Sequence, residues 1–544
     1  MNSELRGGGW RELAIVVAVA AAVTAALTHP IAFKLGSVGR VNQADGQFSI
    51  WNVAWVARAI VSDPRHLYDA NIFYPRTGTL AYSEANIGSG LVAAPVYWAT
   101  QNPYAAHNFA VLFSFLLTAI GTYYLVRYLV KDRRAAAVSA ICFAFCPHIF
   151  AHLAQVQALM TLWIPFTMLA LHRFADARTP GRGAALGAAM AAQALWSGYY
   201  GVFVLVMVGF SVLVIATTRG LWTSARFWLG LAAGAVTAAV LVIPFYIPFV
   251  ELHARGFART LDDAGRYGAN WSSYLASATT AHGWLLKYLP RWSEVNFPGV
   301  IATVCGLGGL LLARTARERE MVIIYGGLTG LSLWASFGVA GGLYSVLHTA
   351  VPAFSWLRVP SRFGLIVSFG LAVLAALTVR RLLERTNRPV LVAVAIAGLA
   401  MAELRIPLDP PPAIPVAPVY RMLATLPRGP VIEMPFYYPE VGLYQHTKYM
   451  LASTAHWMPL VNGYSDFVPP EFYEHVMTLA PFPSRPALKI LEPDQVRYAV
   501  FHLNGYNEEN RNDVLKRLQE LAPHFRKLYE DETTRLYEIV SYPP

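Results

Sequence analysis

The sequence predicts a polytopic α-helical membrane protein of about eleven transmembrane helices with a C-terminal α/β domain. Three observations predict it. Of 544 residues, 56% are hydrophobic and only 14% charged, against roughly 25% charged in a soluble protein, and the mean hydropathy is +0.41. Apolar runs recur along the first 405 residues at lengths that suit a bilayer crossing. A proline-rich stretch, IPLDPPPAIPVAP (406–418), then ends them, and charge and strand-like patterning return. This composition excludes an ordinary soluble enzyme and a disordered chain. Three cysteines exclude a disulfide scaffold; Cys142, Cys146 and Cys305 fall within apolar runs and read as small buried hydrophobes.

The apolar runs lie at about 12–33, 104–130, 135–151, 157–172, 183–198, 199–217, 227–249, 299–313, 320–338, 363–379 and 389–405. The first lacks a small-residue cleavage site before Lys34 and reads as an uncleaved anchor. One alternate set of connections is basic: Arg6 and Arg11; Lys131, Arg133 and Arg134; Arg173, Arg178 and Arg182; Arg219 and Arg226; Arg314, Arg317 and Arg319; Arg380, Arg381, Arg385 and Arg388. The positive-inside rule makes that side cytoplasmic. Eleven crossings then place the N-terminus inside, and the outer loops 36–103, 250–298 and 339–362, with everything after 405, outside. The net charge of +11 is in large part this topology signal, which argues against nucleic acid as a partner.

Residues 1–405 therefore form a transmembrane domain, 406–418 a stiff linker and 419–544 an extracytoplasmic α/β domain. In the last, PVIEMP (430–435), VRYAVFHL (496–503), FRKLYEDE (525–532) and TRLYEIV (534–540) read as strands, the first two as central ones. APVYRMLATL, PPEFYEHVMTLA and NEENRNDVLKRLQELA read as helices. In the first outer loop, Gln47–Ile60 reads as an amphipathic interfacial helix with Trp51 and Trp55 at headgroup depth. IGSGLVAAPVYWAT (87–100) is too short to span and reads as re-entrant. GLGG (306–309) sits inside an apolar run and reads as helix packing rather than a nucleotide loop.

The suggestive polar groups gather in the outer segments. Asp45 precedes the interfacial helix, where it reads as an N-cap or as a catalytic carboxylate. PHIFAHLAQVQ places His148 and His152 four residues apart, followed by Gln155 and Gln157; two histidines with no identifiable third ligand assign no metal site. WSGYYGVF sets Tyr199 and Tyr200 at a turn. WSEVNFPGV brings Glu294 and Asn296 up to an apolar run. Arg358 and Arg362 flank Pro360 on the side that the positive-inside rule depletes, and arginine matches phosphate oxygens bidentately. Glu433 lies at a strand end, and HWMPLVNGYSDF supplies His456, Trp457, Asn462, Tyr464 and Asp466, a mix suited to a sugar or to docking on the membrane domain.

ADGQFSIWNVAW, NIFYPRTGTLAYSE, PHIFAHLAQVQALMTLWIPF, LRVPSRF, VIEMP and HWMPLVNGYSDF together resemble the GT-C superfamily of integral-membrane glycosyltransferases, in particular the bacterial polyprenyl-phosphate-sugar-dependent group related to protein mannosyltransferases. That resemblance implies a GT-C-like fold in the bacterial cytoplasmic (inner) membrane. It implies transfer of a hexosyl or pentosyl group from a lipid-linked sugar donor to a glycan, lipid or protein acceptor at the cell envelope. Asp45 resembles the base. Arg358 and Arg362 fit the leaving phosphate, with His152 and Gln157 nearby. Many members carry two acidic residues together in the first loop, whereas here Asp45 is followed by Gly46; no cofactor is assigned, and a divalent cation stays open. The competing classes are a lipid or glycan transporter or flippase, and a non-catalytic envelope assembly protein. Against a transporter, the apolar runs are expected to lack buried Asp or Glu and show no evident repeat.

Overall fold

The computed structural model describes residues 4–292, 294–439 and 442–544, with side chains from residue 9 onward; the side chain of Arg6 lies outside those described. Each of the eleven apolar runs falls on helical structure. Among the described residues, six helical stretches are long and apolar enough to cross a membrane: Gly9–Leu27, Pro103–Val130, Arg133–Ala151, Gly198–Thr218, Ala225–Ala254 and Pro360–Glu384. The other five runs fall on Trp163–Ala177, Pro180–Trp196, Val300–Leu311, Ala316–Ser336 and Pro389–Leu404. Four of these have 17 residues or fewer, and at 1.5 Å per residue such lengths fall short of the ~30 Å hydrocarbon core.

The chain divides into two compact units. One comprises residues 1–34, 109–247 and 256–409; the other comprises 35–108, 248–255 and 410–544.

In the first unit, Gly364–Glu384 is almost wholly buried and forms the centre of the helix bundle. Small residues let helices approach it and one another. A Cβ at Gly309 would lie 2.2 Å from the carbonyl oxygen of Leu374, so GLGG is indeed a packing surface. Gly183 and Gly187 meet Gly230 and Gly234 in the same way, at 1.8 and 1.9 Å, the small-xxx-small packing of membrane helices. Ala225–Ala254 leaves Val236, Val240, Ile243 and Ile247 exposed, as a lipid-facing helix does. Several cations of the basic set are paired: Arg381 grips Glu318 bidentately at 2.8 Å, and Arg219 grips Glu320 at 2.7 Å.

In the second unit, strands β1 (Val431–Met434), β2 (Tyr498–His502), β3 (Phe525–Glu530) and β4 (Thr534–Ile539) form one sheet in the order β1-β2-β4-β3. β1 pairs parallel with β2, and β4 runs antiparallel to both its neighbours. The expected helices appear as Pro418–Leu423, Pro470–Leu479 and Glu508–Glu520. Only one of the two strands expected to be central is so. β1 is the end strand, yet all four of its residues are buried. The Val431 N–H donates to Pro459 O at 2.8 Å and the Val461 N–H to Val431 O at 2.9 Å, so the 459–461 backbone covers its free edge. Complete burial, rather than two strand neighbours, produced the apolar run.

The first outer loop joins this sheet and is not a set of free surface elements. The Leu460 N–H donates to Asn71 O at 2.9 Å, Tyr74 N–H to Leu460 O at 2.8 Å and Phe73 N–H to Asn462 O at 3.1 Å. These bonds are why residues 35–108 group with 410–544; the division at 409/410 falls within the 406–418 linker. The helix expected at 47–60 spans Ala44–Ser62 and corrects the interfacial reading. Trp51 and Trp55 are buried; their indole N–H groups donate to Asn71 Oδ1 at 3.0 Å and Leu67 O at 2.9 Å. Residues 87–100 form a helix that packs on it so closely that a Cβ at Gly90 would meet Val56 at 2.2 Å.

Candidate functional site

The first unit gathers His148, His152, Gln155, Tyr199, Glu294, Asn296 and Arg362 in one place. His148 lies in the short helix Pro147–Ala151 and His152 just past its end. Four residues apart on helical geometry they share a face, and their rings stand 4.5 Å apart between centroids. The hydrogen bonds fix both tautomers. Asn296 Nδ2 donates to Ser361 O at 3.0 Å, which turns its oxygen toward His148. His148 Nδ1 lies 2.9 Å from that oxygen and 3.0 Å from Val295 O. Both are acceptors, so Nδ1 carries the proton and Nε2 keeps its lone pair. That Nε2 is buried and has no hydrogen-bond partner among the described residues. His152 Nδ1 faces the His148 carbonyl at 2.7 Å and is protonated by the same reasoning. Its Nε2 lies 3.3 Å from Glu294 Oε2.

Nε2 of both histidines and a carboxylate thus converge, with ligand atoms all within 4.8 Å of one another. A carboxylate facing these nitrogens calls for positive charge between them, carried by a proton on His152 Nε2 as in an ion pair or by a bound cation. Two histidines and one carboxylate are a ligand set for zinc and related divalent ions, and histidines that donate Nδ1–H to oxygen present Nε2 as metal ligands commonly do. The residues therefore fit a divalent cation. The third residue that could complete such a set is Glu294, distant in sequence and adjacent in space.

Arg362 is buried beside this cluster. Its Nη2 donates to Gln155 Oε1 at 2.9 Å, and its guanidinium lies 4.6 Å from the centre of the Tyr199 ring. The Tyr199 hydroxyl accepts the Val359 N–H at 2.5 Å, which holds the arginine segment over the ring. Tyr200 is fully buried with its hydroxyl on Ala158 O at 2.9 Å and acts as a pin between helices. Gln157 is half-buried in the helix Val156–Leu159 and makes none of these contacts. The Arg358 guanidinium sits 5.8 Å from the centre of the Tyr267 ring.

In the second unit, Asp45 is the second residue of its helix and not the cap. Gln43 is the N-cap residue and makes no side-chain cap bond; the extra first turn comes from the Gly46 and Gln47 N–H groups, both 3.1 Å from Gln43 O. A half-buried carboxylate in this first turn is favoured by the helix dipole. The second acid of the resemblance has no room: a Cβ at Gly46 would fall 2.0 Å from the Arg40 carbonyl oxygen.

Glu433, His456 and Asn462 lie in the same unit, where His456 Nδ1 accepts the Met458 N–H at 3.0 Å. Asn462 bridges the Glu433 main chain, accepting its N–H at 2.7 Å and donating to its carbonyl at 2.9 Å. Glu433 Oε2 pairs with His502 at 2.7 Å and accepts the Tyr420 hydroxyl at 3.3 Å. His456 stacks on Tyr420, and Tyr449 stacks on His502, so these ring faces are already covered. Tyr464 lies apart, edge-on to Phe48 at 6.3 Å, and Asp466 accepts from Ser83 at 3.3 Å. Tyr420 and His502 escaped the sequence reading; the available signal was that β1 and β2, if parallel, end at the same sheet edge.

No family model and no curated protein sequence matches the chain. Solved structures do. ArnT from Cupriavidus metallidurans, in its crystal structure bound to undecaprenyl phosphate, matches at 16% identity and a TM-score of 0.51, over 98% of this chain and 99% of that one. The apo state of ArnT matches at 15% identity and 0.42, over 99% and 100%. The Archaeoglobus fulgidus oligosaccharyltransferase in complex with zinc and sulfate matches at 14% and 0.48, over 96% of this chain and 72% of that one. At these identities the likeness to ArnT shows a shared fold. The chain is a multi-pass helical membrane protein of that fold, as the resemblance to GT-C glycosyltransferases implied.

Proposed function

We propose that the chain is a membrane glycosyltransferase that moves a sugar from a polyprenyl-phosphate-linked donor to a glycan, lipid or protein acceptor. The reaction takes place on the outer face of the bacterial cytoplasmic membrane, with the N-terminus inside and residues 419–544 outside. The observation that carries this reading is the convergence of His148 Nε2, His152 Nε2 and the Glu294 carboxylate beside the buried Arg362. Cation-holding groups next to a buried guanidinium suit a phosphate whose charge grows as the glycosidic bond breaks. The fold shared with ArnT, a protein solved with undecaprenyl phosphate, supports a lipid of that class as the carrier.

Each residue then has a role its chemistry allows. His148, His152 and Glu294 would hold a divalent cation, which when bound neutralises the leaving phosphate. Arg362 contributes a fixed fork of N–H donors, oriented by Gln155 and Tyr199. Asp45 takes the acceptor proton as the oxocarbenium-like centre forms; this role rests on the resemblance. Release of free polyprenyl phosphate is common to every such transfer whatever the sugar. Purified protein supplied with lipid-linked sugars and acceptor membranes is expected to release it, as read by mass spectrometry. A folded protein that binds the lipid but releases none in any such mixture overturns the reading.

A further inference from the structure

The helix Val300–Leu311 starts immediately after the segment that carries Glu294, and it starts without a cap of its own. Its N-cap residue, Gly299, has no side chain and sits at φ +95°, a conformation that favours glycine. The first amide groups go instead to Glu403, in the last turn of Pro389–Leu404. The Val300 N–H donates to Glu403 Oε1, and the Ile301 N–H to Oε2 at 3.2 Å. A carboxylate at a helix N-terminus is favoured by the unpaired N–H groups and the dipole. His282 Nε2 lies 3.1 Å from the same carboxylate. The loop of His282 is tied to the same helix end, because the Thr280 N–H donates to Arg405 O at 2.9 Å.

The other end of the short segment is fixed at the cluster. The Asn296 N–H donates to Ser273 O at 2.8 Å, and its side chain bridges His148 and Ser361. Only Phe297, Pro298 and Gly299 separate Asn296 from the helix start that Glu403 holds. Proline fixes one φ angle. The Phe297 ring packs edge-on against His282 at 5.0 Å. A Cβ at Gly299 would stand 3.3 Å from Leu404 and 3.6 Å from the Glu403 carboxyl carbon. The segment therefore has little slack, and its position is set at Glu403 as well as at Asn296.

We propose that Glu403, partnered by His282, is a positioning residue for the metal-ligating segment Glu294–Asn296. It touches neither the histidine rings nor the Glu294 carboxylate in the contacts above; it acts by holding the register of the backbone that presents Glu294. The inference rests on the metal reading of the cluster.

The test is zinc affinity, measured by chelator competition on the full detergent-purified chain for wild type, Glu294→Gln, Glu403→Ala and Glu403→Gln, with thermal unfolding in parallel. Glu403→Ala is expected to weaken zinc binding by about 10- to 100-fold, the usual range for residues behind metal ligands. Glu403→Gln keeps an acceptor for the backbone N–H groups and is expected to weaken it only a few-fold. A purely structural cap lowers the unfolding temperature and leaves zinc affinity unchanged; that result, with Glu294→Gln defective, overturns this inference alone. Wild type that binds no zinc, or Glu294→Gln that binds as wild type does, removes the metal reading and this inference with it. Should Glu403→Ala not fold, Glu403→Gln decides, and an unchanged affinity there overturns the proposal.

Discussion

Nε2 of His152 lies 3.3 Å from Glu294 Oε2, although the His152 proton is already engaged at Nδ1 by the His148 carbonyl 2.7 Å away. A second imidazole nitrogen, Nε2 of His148, is buried without a hydrogen-bond partner among the described residues and lies within 4.8 Å of both. This arrangement distinguishes the cluster from an ordinary buried hydrogen-bond network, in which donors and acceptors alternate.

Removing a ligand from the cluster is expected to abolish cation binding without unfolding the bundle. His148→Ala and Glu294→Gln should each lose saturable zinc binding in equilibrium dialysis and keep the wild-type helical circular dichroism. Wild-type stoichiometry in either variant would contradict the assignment.

Asp45→Asn is expected to lower transfer by about 10²-fold or more, the usual scale for a lost general base, while the protein stays folded. Asparagine forfeits the dipole interaction of a first-turn carboxylate, a loss of ~0.3–1 kcal/mol. Turnover assayed beside thermal unfolding separates the two effects. Full activity in a folded variant would leave Asp45 with the dipole role alone.

Gly46→Ala is expected to destabilise the second unit by several kcal/mol and Gly46→Asp at least as much. The added Cβ would fall 2.0 Å from the Arg40 carbonyl oxygen, a backbone atom that cannot swing aside, and overpacking of this kind typically costs about 1–3 kcal/mol or more. A Gly46→Asp protein as stable as wild type in a thermal melt would show that the loop at Arg40 yields.

Acidification is expected to loosen the 430–465 region between about pH 6.5 and 4. Burial holds His446 down at about 4, below the ordinary value near 6.5. Its Nε2–H donates to Tyr437 O at 2.9 Å and its Nδ1 accepts from Asn462 at 3.0 Å. The unfolded chain binds this proton first, so the stability it contributes is complete above about 6.5 and falls as the pH drops toward 4. His456, also at about 4 from burial with Arg428 nearby, adds in the same direction. Hydrogen exchange of this region as a function of pH measures the effect; His446→Gln should flatten the slope, and an unchanged slope would contradict it.

The helices were legible because a bilayer crossing demands long apolar runs, and all eleven runs fall on helical structure. What the runs could not show was which face each helix hides. Trp51 and Trp55 read as interfacial because tryptophan is amphipathic, yet Asn71 and Leu67 satisfy their N–H groups inside the unit. β1 read as central because a backbone segment from 459–461, not a second strand, covers its edge. At the candidate site, His148, His152, Gln155, Glu294 and Arg362 were each visible as polar residues next to apolar runs. Their grouping was not, because Glu294 is joined to the histidines only by the fold. Glu403 was hidden by its place inside an apolar helix, where one acid reads as an imperfection in the run.

Arg362 and Arg358 are expected to part company on mutation. Arg362→Ala should weaken binding of a polyprenyl phosphate by about 10-fold or more, since hydrogen bonds to charged groups are worth about 1.5–3 kcal/mol; Arg362→Lys keeps the charge, loses the fork and should fall between. Arg358→Ala, at a half-buried guanidinium over Tyr267, should have the smaller effect.

The cluster is the proposed seat of a lipid phosphate, and one titration tests this directly. Undecaprenyl phosphate is added to the purified chain, with zinc present, for wild type and for Arg362→Ala, and binding is followed by native mass spectrometry. Saturable one-to-one binding by wild type, weakened about 10-fold or more in the variant, is the predicted result; equal affinity in the two proteins, or no saturable binding by wild type, would contradict it.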